Sequence, residues 1–131
     1  MPQVILHVCR SLPDTAKADL VRAVREAIPR ILGIPAHIGQ VVLYEADPAH
    51  RAIHPSRDHR FVIVEAMMYP GRTQELKTAL MQKIIGLITK HTGVAESDII
   101  ATIHEIPPEH YFDGTSHAFI AAQKHRNDRN I

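Results

Sequence analysis

The segment QVILHVC (3–9) alternates in character, with Val4, Leu6 and Val8 on one face and Ile5, His7 and Cys9 on the other, which is the period of a β-strand. From residue 14 the period lengthens. Leu20, Val24 with Ala23, Ala27, Ile28 and Ile31 recur every three or four positions and form the apolar stripe of a helix over roughly 14–32. Ser11 or Asp14 is placed to cap its start, and Gly33 to end it. Pro29 removes one helix hydrogen bond, which predicts a kink or an early 3₁₀ turn. QVVLYE (40–45) returns to strand character, and FVIVEAMM (61–68) reads as a third strand rich in β-branched residues. Thr73 then caps a second helix over roughly 73–91, whose stripe is Leu76, Leu80, Ile84 with Lys83, and Leu87. Gly93 ends it, and IIATIHE (99–105) is the fourth strand.

The order strand, helix, strand occurs twice, and the sequence repeats with it. At an offset of 60, Lys17 meets Lys77, Leu20 meets Leu80, Gly33 meets Gly93, Glu45 meets Glu105, Pro48 meets Pro108 and His50 meets His110. Pro2 falls opposite Val62. Two copies of one βαβ unit are therefore expected within a single domain spanning 1–131, repeat 1 at 2–50 and repeat 2 at 61–112. A βαβ unit pairs its own strands in parallel. The expected fold class is α+β, a four-stranded mixed sheet with two helices on one face. The strands carry apolar residues at both parities, Val41, Leu43 and Ile103 at one and Ile5, Val42 and Ile63 at the other. A bare apolar sheet face predicts burial against another chain, hence self-association. The connector 46–60 reads as polar and structureless, of a length that is often functional. The tail 113–131 contains AFIAAQKH, enough for one or two helical turns, before a polar end expected to be disordered.

Charge narrows the partners. The 131 residues carry 15 Lys and Arg against 14 Asp and Glu, with no block of one sign, so neither nucleic acid nor an acidic membrane surface is an expected partner. No apolar run is long enough to span a bilayer, and the start lacks a secretory pattern. One cysteine, Cys9, forms no intrachain disulfide, which points to a reducing cytoplasm. Ten histidines invite a metal reading, but His50, His54 and His59 lie in a proline- and charge-rich stretch without helical period. No metal site is expected.

Pro2 poses a specific question. A proline is tolerated at the first residue of a strand, but with Met1 removed it is also a free secondary amine. Pro2 in this position, GRTQELK (71–77) and the shared frame of Glu45 and Glu105 together resemble the tautomerase superfamily, which includes 4-oxalocrotonate tautomerase and macrophage migration inhibitory factor. The likeness covers roughly residues 2–114 and points to a fused two-repeat member, of the malonate semialdehyde decarboxylase-like kind or of a further set of fused tautomerase-like proteins that share Arg57-x-x-x-Phe61 and Glu105-x-Pro107. The resemblance implies that the amino-terminal proline moves a proton, its amine kept neutral by desolvation and neighbouring arginines. It implies substrate-binding roles for Arg72, toward a carboxylate, and for Tyr111, lining the pocket. Gln40 stands where 4-oxalocrotonate tautomerase has a second arginine, and Arg57 is a candidate to replace that charge.

The resemblance also has gaps. Leu12 stands in the first repeat where Arg72 stands in the second, so one site per chain is expected. Pro70 and Tyr69 occupy the positions of the extra arginines of the decarboxylase and of cis-3-chloroacrylic acid dehalogenase, Ile28 replaces the dehalogenase's helical histidine, and His37 and Ile38 fall near the decarboxylase's aspartate. The implied activity is a cofactor-independent tautomerase, an isomerase acting on a small 2-oxo or enol carboxylic acid in a homotrimer. The alternatives are a decarboxylase, hydratase or dehalogenase on the same site, or a non-catalytic trimer that binds a ligand or partner.

Overall fold

The computed structural model describes residues 2–112 and 114. Strand β1 (Gln3–Cys9) leads to helix α1 (Asp14–Leu32) and strand β2 (Gln40–Ala46); β3 (Val62–Met68), α2 (Gln74–Thr92) and β4 (Ile99–Glu105) repeat the order. The sheet runs β2-β1-β3-β4. β1 pairs β2 in parallel and β3 pairs β4 in parallel, whereas β1 and β3 are antiparallel and join the two halves. In that join Ile5 faces Glu65, its own counterpart at the 60-residue offset, so a local twofold passes between them. Short 3₁₀ turns at Pro48–His50 and Pro108–His110 obey the same offset.

Strand parity decides the core. Val4, Leu6 and Val8 of β1 and Val62, Val64, Ala66 and Met68 of β3 are buried under the helices. They meet Leu20, Val24 and Ile28 of α1 and Leu80, Ile84 and Ile88 of α2. The two helices also pack on each other. Gly33 (φ 66°) and Gly93 (φ 76°) close the helices in the left-handed conformation that glycine tolerates, their N–H groups returning to the carbonyls of Pro29 and Thr89. A lysine–carboxylate pair recurs in both halves. Lys17 is buried and holds Glu45, with the Arg10 carbonyl accepting at 3.0 Å, while Lys77 holds Glu105 at 2.8 Å.

Four expectations are corrected. Neither Ser11 nor Asp14 caps α1: the capping position is Pro13, which has no side-chain donor or acceptor, and Ser11 Oγ donates instead to Cys9 Sγ at 3.1 Å. Thr73 does cap α2, accepting from Leu76 N–H at 3.2 Å. Pro29 causes no early 3₁₀ turn, and α1 stays helical through Leu32 because Pro29 and Leu32 are both held in the core. The connector is not structureless. Arg51 donates to the carbonyls of His59 and Phe61, Arg57 Nη1 donates to the Ser97 carbonyl at 2.9 Å, and Asp58 N–H donates to Asp98 Oδ1 at 2.9 Å. Finally, the open sheet face is not purely apolar. Between exposed Val42 and Ile100 runs a polar file: Tyr44 stacks on His7, whose Nε2 lies 2.7 Å from Glu65, with His104 3.5 Å beyond. The tail lies outside the described residues, apart from Gly114.

Candidate active site

Strand directions put the start of β1 and β2 at the same end of the sheet as the finish of β3 and β4, since Gln3 faces Gln40 on one side and Met67 on the other. Pro2 sits buried at that end. Its carbonyl accepts from Gln40 N–H at 3.3 Å. Gly39 allows this approach: it has φ 101°, and a Cβ there would lie 3.1 Å from Ile28 Cγ2 and 3.6 Å from the Pro2 oxygen.

Around Pro2 the side chains form a short network. Gln40 Nε2 donates to Gln3 Oε1 at 3.3 Å, and the Tyr111 hydroxyl donates to the same oxygen at 3.3 Å. Tyr69 packs edge-on against Tyr111, ring centres 5.9 Å apart. Tyr111 is brought here because Ile106 N–H bonds the Met68 carbonyl at 2.8 Å, extending the β3–β4 pairing before the Pro108–His110 turn. Arg72 lies on the loop between β3 and α2, which leaves the sheet at this end. It is half-buried, and its guanidinium makes no hydrogen bond or ion pair to any described residue.

The structure therefore brings Pro2, Gln40 and Tyr111 together and sets Arg72 at the same end. It does not bring Arg57 there. Arg57 bonds the turn before β4, at the opposite end of the sheet, because the connector crosses to the start of β3. Within one chain Arg57 is a strut of the connector, away from that chain's own Pro2. Gln3 carried no sequence signal of its own, being an ordinary outward strand position, and Tyr69 was marked only as standing where the dehalogenase has an arginine, not as a neighbour of Tyr111. Among the described residues no cluster of three His, Cys, Asp or Glu side chains is arranged to hold a metal, and no helix is long and apolar enough to cross a membrane.

A family profile described as tautomerase enzyme matches residues 39–111, more than half of the chain. The chain belongs to the tautomerase family. Within that family, a probable tautomerase of Bacillus cereus is 37% identical over 51 residues, covering 39% of this chain and 84% of the relative. Among solved structures, this tautomerase-family chain is similar to FG41 malonate semialdehyde decarboxylase inhibited by 3-bromopropiolate (TM-score 0.75, 23% identity, 93% of this chain and 96% of that one). It is similar also to a fused 4-OT symmetric trimer (TM-score 0.79, 22% identity, 92% and 98%) and to Pt0534 inactivated by 2-oxo-3-pentynoate (TM-score 0.81, 21% identity, 91% and 98%). At these identities the structural likenesses establish the shared fold.

Proposed function

We propose that this tautomerase-family chain moves a proton in a small 2-oxo or enol carboxylic acid, with Pro2 as base and acid once Met1 is removed. A secondary amine is wholly available for proton transfer only at a chain start, and a dry position beside a cation favours its neutral form. The observation that carries the reading is the pairing, at one end of the sheet, of a buried Pro2 with a half-buried arginine that has no partner among the described residues. Arg72 grips the carboxylate, since its planar fork suits two parallel hydrogen bonds. Tyr111 and Gln40, tied through Gln3, shape the pocket wall. No cofactor is called for, because proton transfer beside a carbonyl needs a base and an electrophilic clamp. Pro70 and Tyr69 leave the loop before Arg72 without a second guanidinium, which favours tautomerisation over decarboxylation or hydration.

Assembly is part of the proposal. Exposed Val42, Tyr44 and Ile100 give the open sheet face the character of a contact surface, and a homotrimer in the cytoplasm is the form we expect to be active. The test is ultraviolet absorbance of enol pyruvates with the wild type and Pro2→Ala, alongside intact mass. The mass should show Met1 lost, and Pro2→Ala should cost about 10²–10⁴-fold in rate. Retained Met1, or equal rates, would leave Pro2 as a strand edge.

A further inference from the structure

Gln3 follows Pro2 in the chain, and its side chain is the hub of the Pro2 end. Its Oε1 accepts from Gln40 Nε2 and from the Tyr111 hydroxyl, each at 3.3 Å. One amide oxygen therefore ties the residue after the proline to the start of β2 and to the turn that follows β4. Both bonds lie within the chain and need no exposed sheet face. Gln40 is fixed through its backbone as well, since it faces Gln3 in the β1–β2 register and its N–H reaches the Pro2 carbonyl. Tyr111 is fixed through its ring and its backbone: Tyr69 meets it edge-on at 85°, and its N–H donates to the Pro108 carbonyl at 3.2 Å. With ring and backbone held, what Gln3 sets is the direction of the hydroxyl proton.

That direction has a chemical consequence. An amide oxygen offers two lone pairs, and a tyrosine hydroxyl has one proton and two lone pairs. Two donors fill the Gln3 oxygen. The Tyr111 proton is committed to it, so toward a ligand this hydroxyl presents a lone pair and acts as an acceptor. Two side chains at the same end offer donors. Arg72 carries only donors on its guanidinium, and Gln40 Nε2 keeps a second hydrogen after serving Gln3. Donors suit a carboxylate. An acceptor suits a group that itself carries a proton. A 2-oxo acid and its enol differ in that respect, because the C2 oxygen is a bare acceptor in the first and a hydroxyl donor in the second.

We propose that Gln3 is a positioning residue that sets the hydrogen-bond polarity of this site, so that Tyr111 selects the 2-hydroxy, enol form of the acid over the 2-oxo form. The inference rests on the reading of the Pro2 end as a substrate site. Arg72 holds the carboxylate of either form, and the Tyr111 oxygen tells the two apart.

The test is titration of the assembled protein with 2-hydroxybutanoate, standing in for the enol, and with 2-oxobutanoate, followed by ligand-observed NMR. Both acids carry the same carboxylate, and the hydration of the free acids cancels when their affinity ratio is compared between variants. Gln3→Met keeps the length of the side chain and loses the acceptor. The Tyr111 proton is then released to donate, and the ratio should move toward the oxo acid by about threefold or more, the scale of one neutral hydrogen bond. A merely structural role would weaken both acids together and leave the ratio alone. Gln3→Glu keeps an acceptor for both donors and should retain the wild-type ratio, although its charge weakens both acids. Tyr111→Phe should lose the preference for the hydroxy acid, and serves if Gln3→Met does not fold. Added to Tyr111→Phe, Gln3→Met should shift the ratio no further, because the group it acts through is gone. The proposal is overturned by a ratio unmoved in Gln3→Met or in Tyr111→Phe, by a Gln3→Glu variant that behaves like Gln3→Met, or by absence of binding of both acids. Failure of proton transfer is read separately, as equal rates in wild type and Pro2→Ala, and does not enter the ratio.

Discussion

Arg72 and Asp58 show opposite fates of charge at the residue scale. Arg72 has no partner among the described residues, so Arg72→Ala should leave stability nearly unchanged while removing a contact to substrate worth roughly 1.5–3 kcal/mol. The readout is the preference for an acid over its ester, which the wild type should show and the alanine variant should lose. Arg72→Lys should restore part of it, keeping the charge without the fork. An unaltered acid-to-ester preference would remove Arg72 from the site. Asp58, by contrast, is fully engaged. The Arg60 backbone N–H and then the Arg60 guanidinium hold its carboxyl below the ordinary aspartate range. Because the folded value is the lower one, the ordering of this loop is complete above the ordinary aspartate pKa and is lost as pH falls through the folded value. The Arg60 amide resonance should therefore titrate with a midpoint below that of a free aspartate, and Asp58→Asn should flatten the curve. Pro2, Arg72 and Tyr111 stood out in the sequence through motif and position. Gln3 and the contact of Tyr69 with Tyr111 did not, because a polar residue on an outward strand position and a tyrosine before a turn look the same with or without a neighbour. The place of Arg57 was hidden for another reason: no periodicity fixes the path of a connector.

Elements were the most legible level, since alternation and the helical stripe are both direct consequences of one-sided burial. β1 and β4 fall on the residues that the pattern marks, and the helices within one residue of it. The start of α1 was misread because a polar residue near a helix start is only an opportunity to cap, and Ser11 turns to Cys9 instead. Pro29 is informative here. It sits in the last turns of α1 without ending it, and the Arg25 carbonyl correspondingly lacks its helical donor. Pro29→Ala should restore that bond and raise unfolding free energy by about 1–3 kcal/mol, measured by denaturant titration. A loss of stability would show that the packing of the proline ring outweighs the missing bond. Ile84→Ala, at a fully buried position of α2, should cost about 2–5 kcal/mol in the same measurement.

On the scale of the whole molecule, an apolar face was foreseen from strands with hydrophobic residues at both parities, but its polar file was not. Pairing across strands depends on register, and the register that sets His7, Glu65 and His104 beside one another is a product of the tertiary fold. If this face joins three copies, sedimentation should give about three times 14.7 kDa, and Val42→Asp with Ile100→Asp should shift the protein toward monomer. A wild-type monomer at micromolar concentration would refute the assembly. The antiparallel β1–β3 join carries a further consequence. The halves hold each other through that strand pair and the helix pair, while the covalent link passes through His54, Pro55 and Ser56, all three exposed. A protease nick or a split gene at that tip would leave two fragments, each with its own strand, helix and strand and each offering the other a complementary edge. Co-expressed, they should reassemble into the parent fold.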